Sequence, residues 1–87
     1  ETFELSQNYP NPFNPTTRIS FTIPATAMVQ LKVYNVLGQE VATLVNETMT
    51  NGSHTVTFDA SKLASGVYLY KITAGNFVST KKMVLLK

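Results

Sequence analysis

The side chains best able to transfer protons in this chain are one histidine and five carboxylates. His54 follows Ser53 and precedes Asp59 by five positions, so a Ser-His-Asp triad is the reaction centre that the sequence could suggest. Neighbouring residues in a strand point to opposite faces, whereas a triad needs its three groups to meet. We therefore predict no catalytic centre at His54 and no enzyme activity.

Metal and cofactor sites are equally hard to find in the sequence. The carboxylates lie apart, at positions 1, 4, 40, 47 and 59, and there is no cysteine. This spacing supplies neither a carboxylate pair for acid-base catalysis nor a calcium loop. The four glycines are each isolated, so no Gly-rich loop is present to hold a phosphate. We expect no metal, no cofactor and no small-molecule substrate.

The lysines are concentrated at one end of the chain. Residues 60–87 contain five lysines and no acid, a charge of +5, whereas residues 1–59 have two cations against five acids, a charge of −3. The net charge of +2 is too small to indicate a nucleic-acid partner. Lys81, Lys82 and Lys87 could simply discourage edge-to-edge strand pairing. Alternatively, a partner could bind the last strand by strand addition or by charge complementarity.

The aromatic residues Tyr34, Tyr68, Tyr70 and Phe77 could in principle form a platform for sugar stacking. The chain has no tryptophan, and aromatic residues on neighbouring strands commonly pack together or fill a core. We favour core or cross-strand packing.

The elements that would position these residues are predominantly strands. Residues 67–73 and 77–86 flank Gly75-Asn76, which predicts a terminal hairpin with a tight turn. Residues 29–33 and 40–45 flank Gly38 and predict a second hairpin. Alternation also predicts strands over 19–23 and 54–58, whereas the polar residues 46–53 predict a loop or wide turn.

About seven short strands without a helical period predict an all-β, immunoglobulin-like antiparallel β-sandwich. Tyr68 is expected to be its corner tyrosine, bonded to upstream backbone, with Gly66 just before it. The alternating residues predicted to form the core are Ile19, Phe21, Leu31, Val33, Val56, Phe58 and Tyr68.

A proline strap, defined as residues 8–17, precedes the predicted sandwich. Pro10, Pro12 and Pro15 each fix φ and lack an N–H, so the segment should be rigid and outside the regular ladders. Tyr9 and Phe13 are expected to attach it to the core. Its three asparagines can satisfy neighbouring backbone groups.

The length fits a single domain over residues 1–87, with the strap and first strand in 1–17 and the sandwich in 18–87. The sequence begins with glutamate rather than methionine, so we expect a piece cut from a longer protein.

Four blocks occur in the order typical of one family: residues 9–17 (YPNPFNPTT), 33–41 (VYNVLGQEV), 65–70 (SGVYLY) and 81–87 (KKMVLLK). They resemble the C-terminal sorting domain of the type IX (Por) secretion system, type A. The resemblance implies an immunoglobulin-like signal domain that takes an N-terminal passenger from the periplasm of a Gram-negative bacterium across the outer membrane. A sortase-like peptidase then removes the domain, leaving the passenger at the cell surface or outside the cell. By position, the signal residues would be Pro12, Gly38, Lys82 and Lys87.

Two alternatives remain open. The chain is similar to the immunoglobulin-like domain of flagellar hook-capping proteins, a structural module, although that family usually has a longer insertion where this chain has residues 59–63. An accessory adhesion or carbohydrate-binding module is the other alternative, and an exposed aromatic row would support it.

Overall fold

The computed structural model describes residues 2–87, which fold into seven strands arranged in two antiparallel sheets. The strands are β1 (Glu4–Leu5), β2 (Thr16–Ile23), β3 (Ala27–Tyr34), β4 (Glu40–Met49), β5 (Gly52–Asp59), β6 (Gly66–Ala74) and β7 (Phe77–Leu85). One sheet has the order β1-β2-β5 and the other the order β4-β3-β6-β7. This confirms the predicted all-β, immunoglobulin-like antiparallel sandwich. In contrast to a constant-type immunoglobulin domain, the fourth strand pairs with the third.

The core lies between the two sheets and is built from alternate residues of each strand. Its largest fully buried side chains are Tyr70, Phe13, Phe21, Ile19, Ile23, Leu31, Ile72, Met83, Leu85, Val29 and Val33. Six of the seven predicted core residues are buried, and Val56 is the exception because it is only half-buried. β5 is an edge strand, so no third strand covers the side of Val56.

Both predicted hairpins are present, and their turns depend on glycine. The terminal ladder closes at Ala74↔Phe77, and Gly75 has φ +59. Positive φ at the first central position of a two-residue turn is the requirement of type II′. Asn76 does not share the positive φ, since no non-glycine residue described has one.

The prediction of a loop or wide turn over residues 46–53 is wrong. β4 continues to Met49 and β5 begins at Gly52, so the connection is short. Glu47 pairs with Val29 near the start of β3, and the Glu47 side chain is exposed. A polar composition is therefore compatible with backbone pairing in this edge strand.

The proline strap also differs from expectation at its end, because Thr16 and Thr17 belong to β2. The rest of the strap makes isolated bridges, Tyr9↔Arg18 and Phe13↔Leu85, instead of a continuous ladder. It therefore lies against both sheets.

Candidate recognition surface along the strap and the last strand

Phe13 attaches the proline strap to the core. Its side chain is 2% exposed, and its ring is 6.2 Å from that of Phe58 in a tilted arrangement. Tyr9 does not share this role, because its side chain is 72% exposed. Since Tyr9 contributes a backbone pair with Arg18 instead, the expectation that both aromatics anchor the strap is right for Phe13 and wrong for Tyr9.

A buried polar cluster forms around Asn8, which is 2% exposed. Its backbone N–H donates to the Tyr70 hydroxyl at 2.8 Å, and that hydroxyl donates to the Ser6 carbonyl at 2.7 Å. The Asn8 side-chain amide donates to Thr17 Oγ1 at 3.0 Å and to the Pro10 carbonyl at 3.1 Å. Burial raises the pKa of Tyr70, although the bond from the Asn8 backbone opposes the shift. These bonds fix the start of the strap.

The strap covers half of the outer edge of β7. The Val84 N–H donates to Asn11 Oδ1 at 3.0 Å, and the Val84 carbonyl accepts from the Phe13 N–H at 2.9 Å. The Leu86 N–H donates to the Phe13 carbonyl at 2.9 Å, and Gln7 Nε2 donates to the Lys82 carbonyl at 2.8 Å. Strand addition along residues 82–86 would require the strap to leave. Strand addition, one of the two ways in which a partner could bind the last strand, therefore finds these backbone groups already bonded.

Gln7 and the distant contact of Asn11 were not among the predicted functional residues. We expected the asparagines of the strap to bond neighbouring backbone, and Asn8 does so with Pro10. Asn11 instead reaches Val84, which is 73 positions away in the chain. No local pattern identifies such a partner, because it depends on how the strap lies against β7.

The predicted site residues Pro12, Lys82 and Lys87 lie along this edge. Pro12 is exposed beside Phe13, and the exposed Lys82 lies on β7 opposite Leu69. The Lys82 ammonium makes no hydrogen bond or ion pair within residues 2–87. Lys87 differs, because its Nζ donates to the Ser61 carbonyl at 2.6 Å and its backbone N–H donates to Ser65 Oγ at 2.9 Å.

Gly38 lies apart from these three, in the turn between β3 and β4. Its φ is +83, and an added Cβ would meet no atom within 4 Å. Backbone conformation rather than crowding therefore favours glycine. Register places this turn at the same end of the sheet as Leu85, with β6 lying between β3 and β7.

The corner tyrosine is confirmed. The Tyr68 hydroxyl donates to the Ala64 carbonyl at 2.7 Å, four positions upstream. Gly66 opens β6 just before it, opposite Leu85. This bond secures the connection between the two sheets where β6 begins.

The residues tested for catalysis do not meet. Ser53 pairs with the Thr22 hydroxyl at 3.2 Å, while the His54 ring stacks on Phe21 at 5.5 Å and its Nε2 lies 2.7 Å from the Thr50 carbonyl. Asp59 accepts from the Ser61 N–H at 2.9 Å. Residues 2–87 enclose no pocket and hold no cluster of three or more His, Cys, Asp or Glu. Within the same residues, no helix is long and apolar enough to cross a membrane.

The possible aromatic platform does not form. Tyr68 and Tyr70 are buried, whereas Tyr34 lies on the opposite face of the same sheet. Phe77 stacks on Phe3 with ring centroids 4.9 Å apart. The described aromatics therefore provide no exposed row for sugar stacking, in agreement with the packing that we favoured.

Comparison with known proteins identifies the family. The family model described as "secretion system C-terminal sorting domain" matches residues 7–86, a span that begins at the first side chain bonded to the edge of β7. No curated protein matched the chain. The matched span includes the strap, both sheets and β7, so the likeness extends over nearly the whole fold. The chain belongs to the family of secretion system C-terminal sorting domains, the signals of type IX secretion that direct a fused N-terminal passenger to the cell surface or the extracellular space.

Proposed function

We propose that residues 1–87 carry their N-terminal passenger from the periplasm across the outer membrane, and that a sortase-like peptidase then removes them. The passenger is afterwards attached to the cell surface or released. The domain acts in this scheme as a substrate of the machinery and has no catalytic role of its own. The match over residues 7–86 is the observation that carries the proposal.

We further propose that Pro12, Gly38, Lys82 and Lys87 contribute to recognition, with the free ammonium of Lys82 contributing most directly. An exposed cation with no partner among residues 2–87 is available to an anionic group of the machinery. Lys87 also serves the fold through its contact with Ser61, and Gly38 does so through its positive φ. Experiments can separate a contribution to recognition from a contribution to folding.

The test is export of a reporter passenger fused to residues 1–87 in a type IX-competent cell. We expect the parent fusion to be exported, while Lys82→Ala combined with Lys87→Ala accumulates in the periplasm. The purified double variant should differ in unfolding free energy by only a few tenths of a kcal/mol, since both ammonium groups are exposed. Lys62→Ala is the matched control, because Lys62 is exposed and belongs to none of the proposed recognition residues.

Equal export of the parent and the double variant would restrict the two lysines to a structural role. Failure of the parent fusion to leave the periplasm would contradict the sorting function and favour the structural module of hook-capping proteins. Binding of the parent domain to an insoluble polysaccharide would instead favour an accessory carbohydrate-binding module.

A further inference from the structure

The outer face of the four-stranded sheet, here called the cationic face, consists of the side chains that point away from the core. Alternation with the buried residues of β3, β6 and β7 defines it. Its members on these strands are Met28, Gln30, Lys32, Tyr34, Val67, Leu69, Lys71, Thr73, Val78, Thr80, Lys82 and Val84.

The arrangement of charges on the cationic face does not favour folding. Lys32 and Lys71 lie directly opposite each other on β3 and β6, and like charges in that position destabilise a sheet. Glu40 pairs with Lys32 at 3.3 Å, and its pKa is lowered by a hydrogen bond from Thr43 and by Lys32. Within residues 2–87, Lys71 and Lys82 have no carboxylate partner. Folding alone does not account for this group of cations.

Exposed apolar side chains lie at both ends of the cationic face, with Met28 and Val78 at one end and the most exposed ones in the turn at the other. Val67 is 38% exposed, and Val36 and Leu37 in the adjoining β3–β4 turn are 70% and 79% exposed. Asn35 holds that turn, since its Oδ1 accepts from the N–H groups of Leu37 at 2.9 Å and Gln39 at 3.0 Å. A turn fixed in this way presents its apolar side chains with little further ordering cost on binding.

The outer face of the other sheet provides a contrast. Hydroxyl groups dominate it, and they bond to one another, as Ser20 does with Thr55 at 3.0 Å and Thr22 with Ser53 at 3.2 Å. Arg18 is its cation, and Asp59 lies at its end. Arg18 has no carboxylate partner among residues 2–87 and lies beside the exposed Tyr9, so this face offers one cation and one aromatic ring. The cationic face differs by its several lysines and its exposed aliphatic side chains.

We propose that the cationic face and the Val36-Leu37 turn dock together onto an acidic protein surface that contains an apolar pocket for the turn. The inference deepens the proposed function, because that surface would belong to the secretion machinery. Charge complementarity selects an acidic partner and argues against a second copy, whose identical cations would meet across a two-fold axis. Lys71 is half-buried within the cationic face, so an anionic group must come close to the sheet surface to contact its ammonium. Carboxylates on a protein surface of complementary shape can do this.

The test uses the same passenger fusion with two variants outside the recognition residues named above. Lys71→Glu reverses the charge at the centre of the face, and Val36→Ser combined with Leu37→Ser removes the apolar turn. We expect each to lower the exported fraction by about tenfold through lost charge complementarity or lost apolar contact. The matched controls are Arg18→Glu on the other outer face and Met28→Ser at the far end of the cationic face, both expected to stay within about twofold of the parent.

Thermal unfolding separates docking from folding. Lys71→Glu replaces a like-charge pair with an opposite-charge pair beside Lys32, so its melting temperature should equal or exceed that of the parent. Reduced export without reduced stability would support docking. Export of both variants at the parent level, with the parent fusion exported, would overturn the docking surface and leave the sorting function intact. Failure of the parent fusion would instead overturn the sorting function on which the inference rests.

An anionic bilayer is the competing occupant. The purified domain is mixed with phosphatidylglycerol vesicles and separated by flotation. We expect the parent domain not to bind the vesicles, because the proposed partner is a protein surface and not a lipid surface. Flotation of the parent that Lys71→Glu abolishes would identify a lipid surface and overturn the proposal.

Discussion

At the scale of single residues, the Tyr70 hydroxyl joins the start of the strap to the core. The variant Tyr70→Phe removes the acceptor of the buried Asn8 N–H and the donor to Ser6. We expect a loss of about 1–3 kcal/mol in unfolding free energy, since a buried donor is left without a partner. Chemical denaturation measures it. Tyr34→Phe is the control, because that hydroxyl makes no hydrogen bond with the described residues, and equal losses in the two variants would contradict the role of Tyr70.

The same residue should give the stability a dependence on alkaline pH. Burial raises the pKa of Tyr70 above its ordinary value of 10.0, so the folded state favours the neutral phenol. Below about pH 10 the contribution of Tyr70 to the unfolding free energy is constant. Above about pH 10 this tyrosine ionises more readily in the unfolded chain than in the folded one, so the stability falls as the pH rises. The quantity to measure is the difference in unfolding free energy between the parent and Tyr70→Phe, because contributions common to both proteins cancel in it. That difference should shrink as the pH rises above about 10.

At the scale of elements, the strap depends on one aromatic side chain and not on the other. Phe13→Ala should lower the unfolding free energy by about 3–5 kcal/mol, because a buried ring against Phe58 is lost. Tyr9→Ala should change it by no more than about 0.5 kcal/mol, since that ring is 72% exposed. Urea denaturation compares the two. A cost as small for Phe13→Ala as for Tyr9→Ala would contradict the role of the Phe13 ring as an anchor of the strap.

The strands could be predicted from the sequence where packing against the core requires apolar and polar residues to alternate. The inner residues of β2 and β3 therefore follow the pattern, whereas residues 46–53 do not, because an edge strand pairs its backbone even where its side chains are polar. The register shifts on either side of Val33 against β4 could not be predicted either. They depend on pairing between strands, which a local pattern does not contain.

The recognition residues were predicted only by resemblance. Their grouping could not be predicted, because the bond between Asn11 and Val84 joins distant parts of the chain. The cationic face likewise requires the register that places Lys71 opposite Lys32. Knowledge of the strands alone does not supply that register.

At the scale of the whole molecule, the strap protects only part of the outer edge of β7. The outward backbone groups of Val84 and Leu86 are bonded to the strap, whereas alternation along β7 leaves those of Val78 and Thr80 facing outward with no strand beside them. Hydrogen exchange should therefore be slow at the amides of Val84 and Leu86 and fast at those of Val78 and Thr80. Asn11→Ala should speed exchange at Val84 without altering that at Val78. Uniform exchange along β7 would show that the strap does not protect this edge.

The order of attachments at the start of the chain determines how the domain would yield to traction. Tension from an N-terminal passenger reaches the Phe3–Phe77 stack and β1 first, and among the described residues β1 is joined to β2 by the pairs Glu4↔Thr22 and Leu5↔Phe21. The load would then pass to Asn8 and next to the contacts of Phe13 with Val84. The backbone ladders of the four-stranded sheet bear it last. Under a pulling force the domain should therefore unfold in stages. Its first strand and strap would detach before the sandwich opens, and so act as a mechanical fuse.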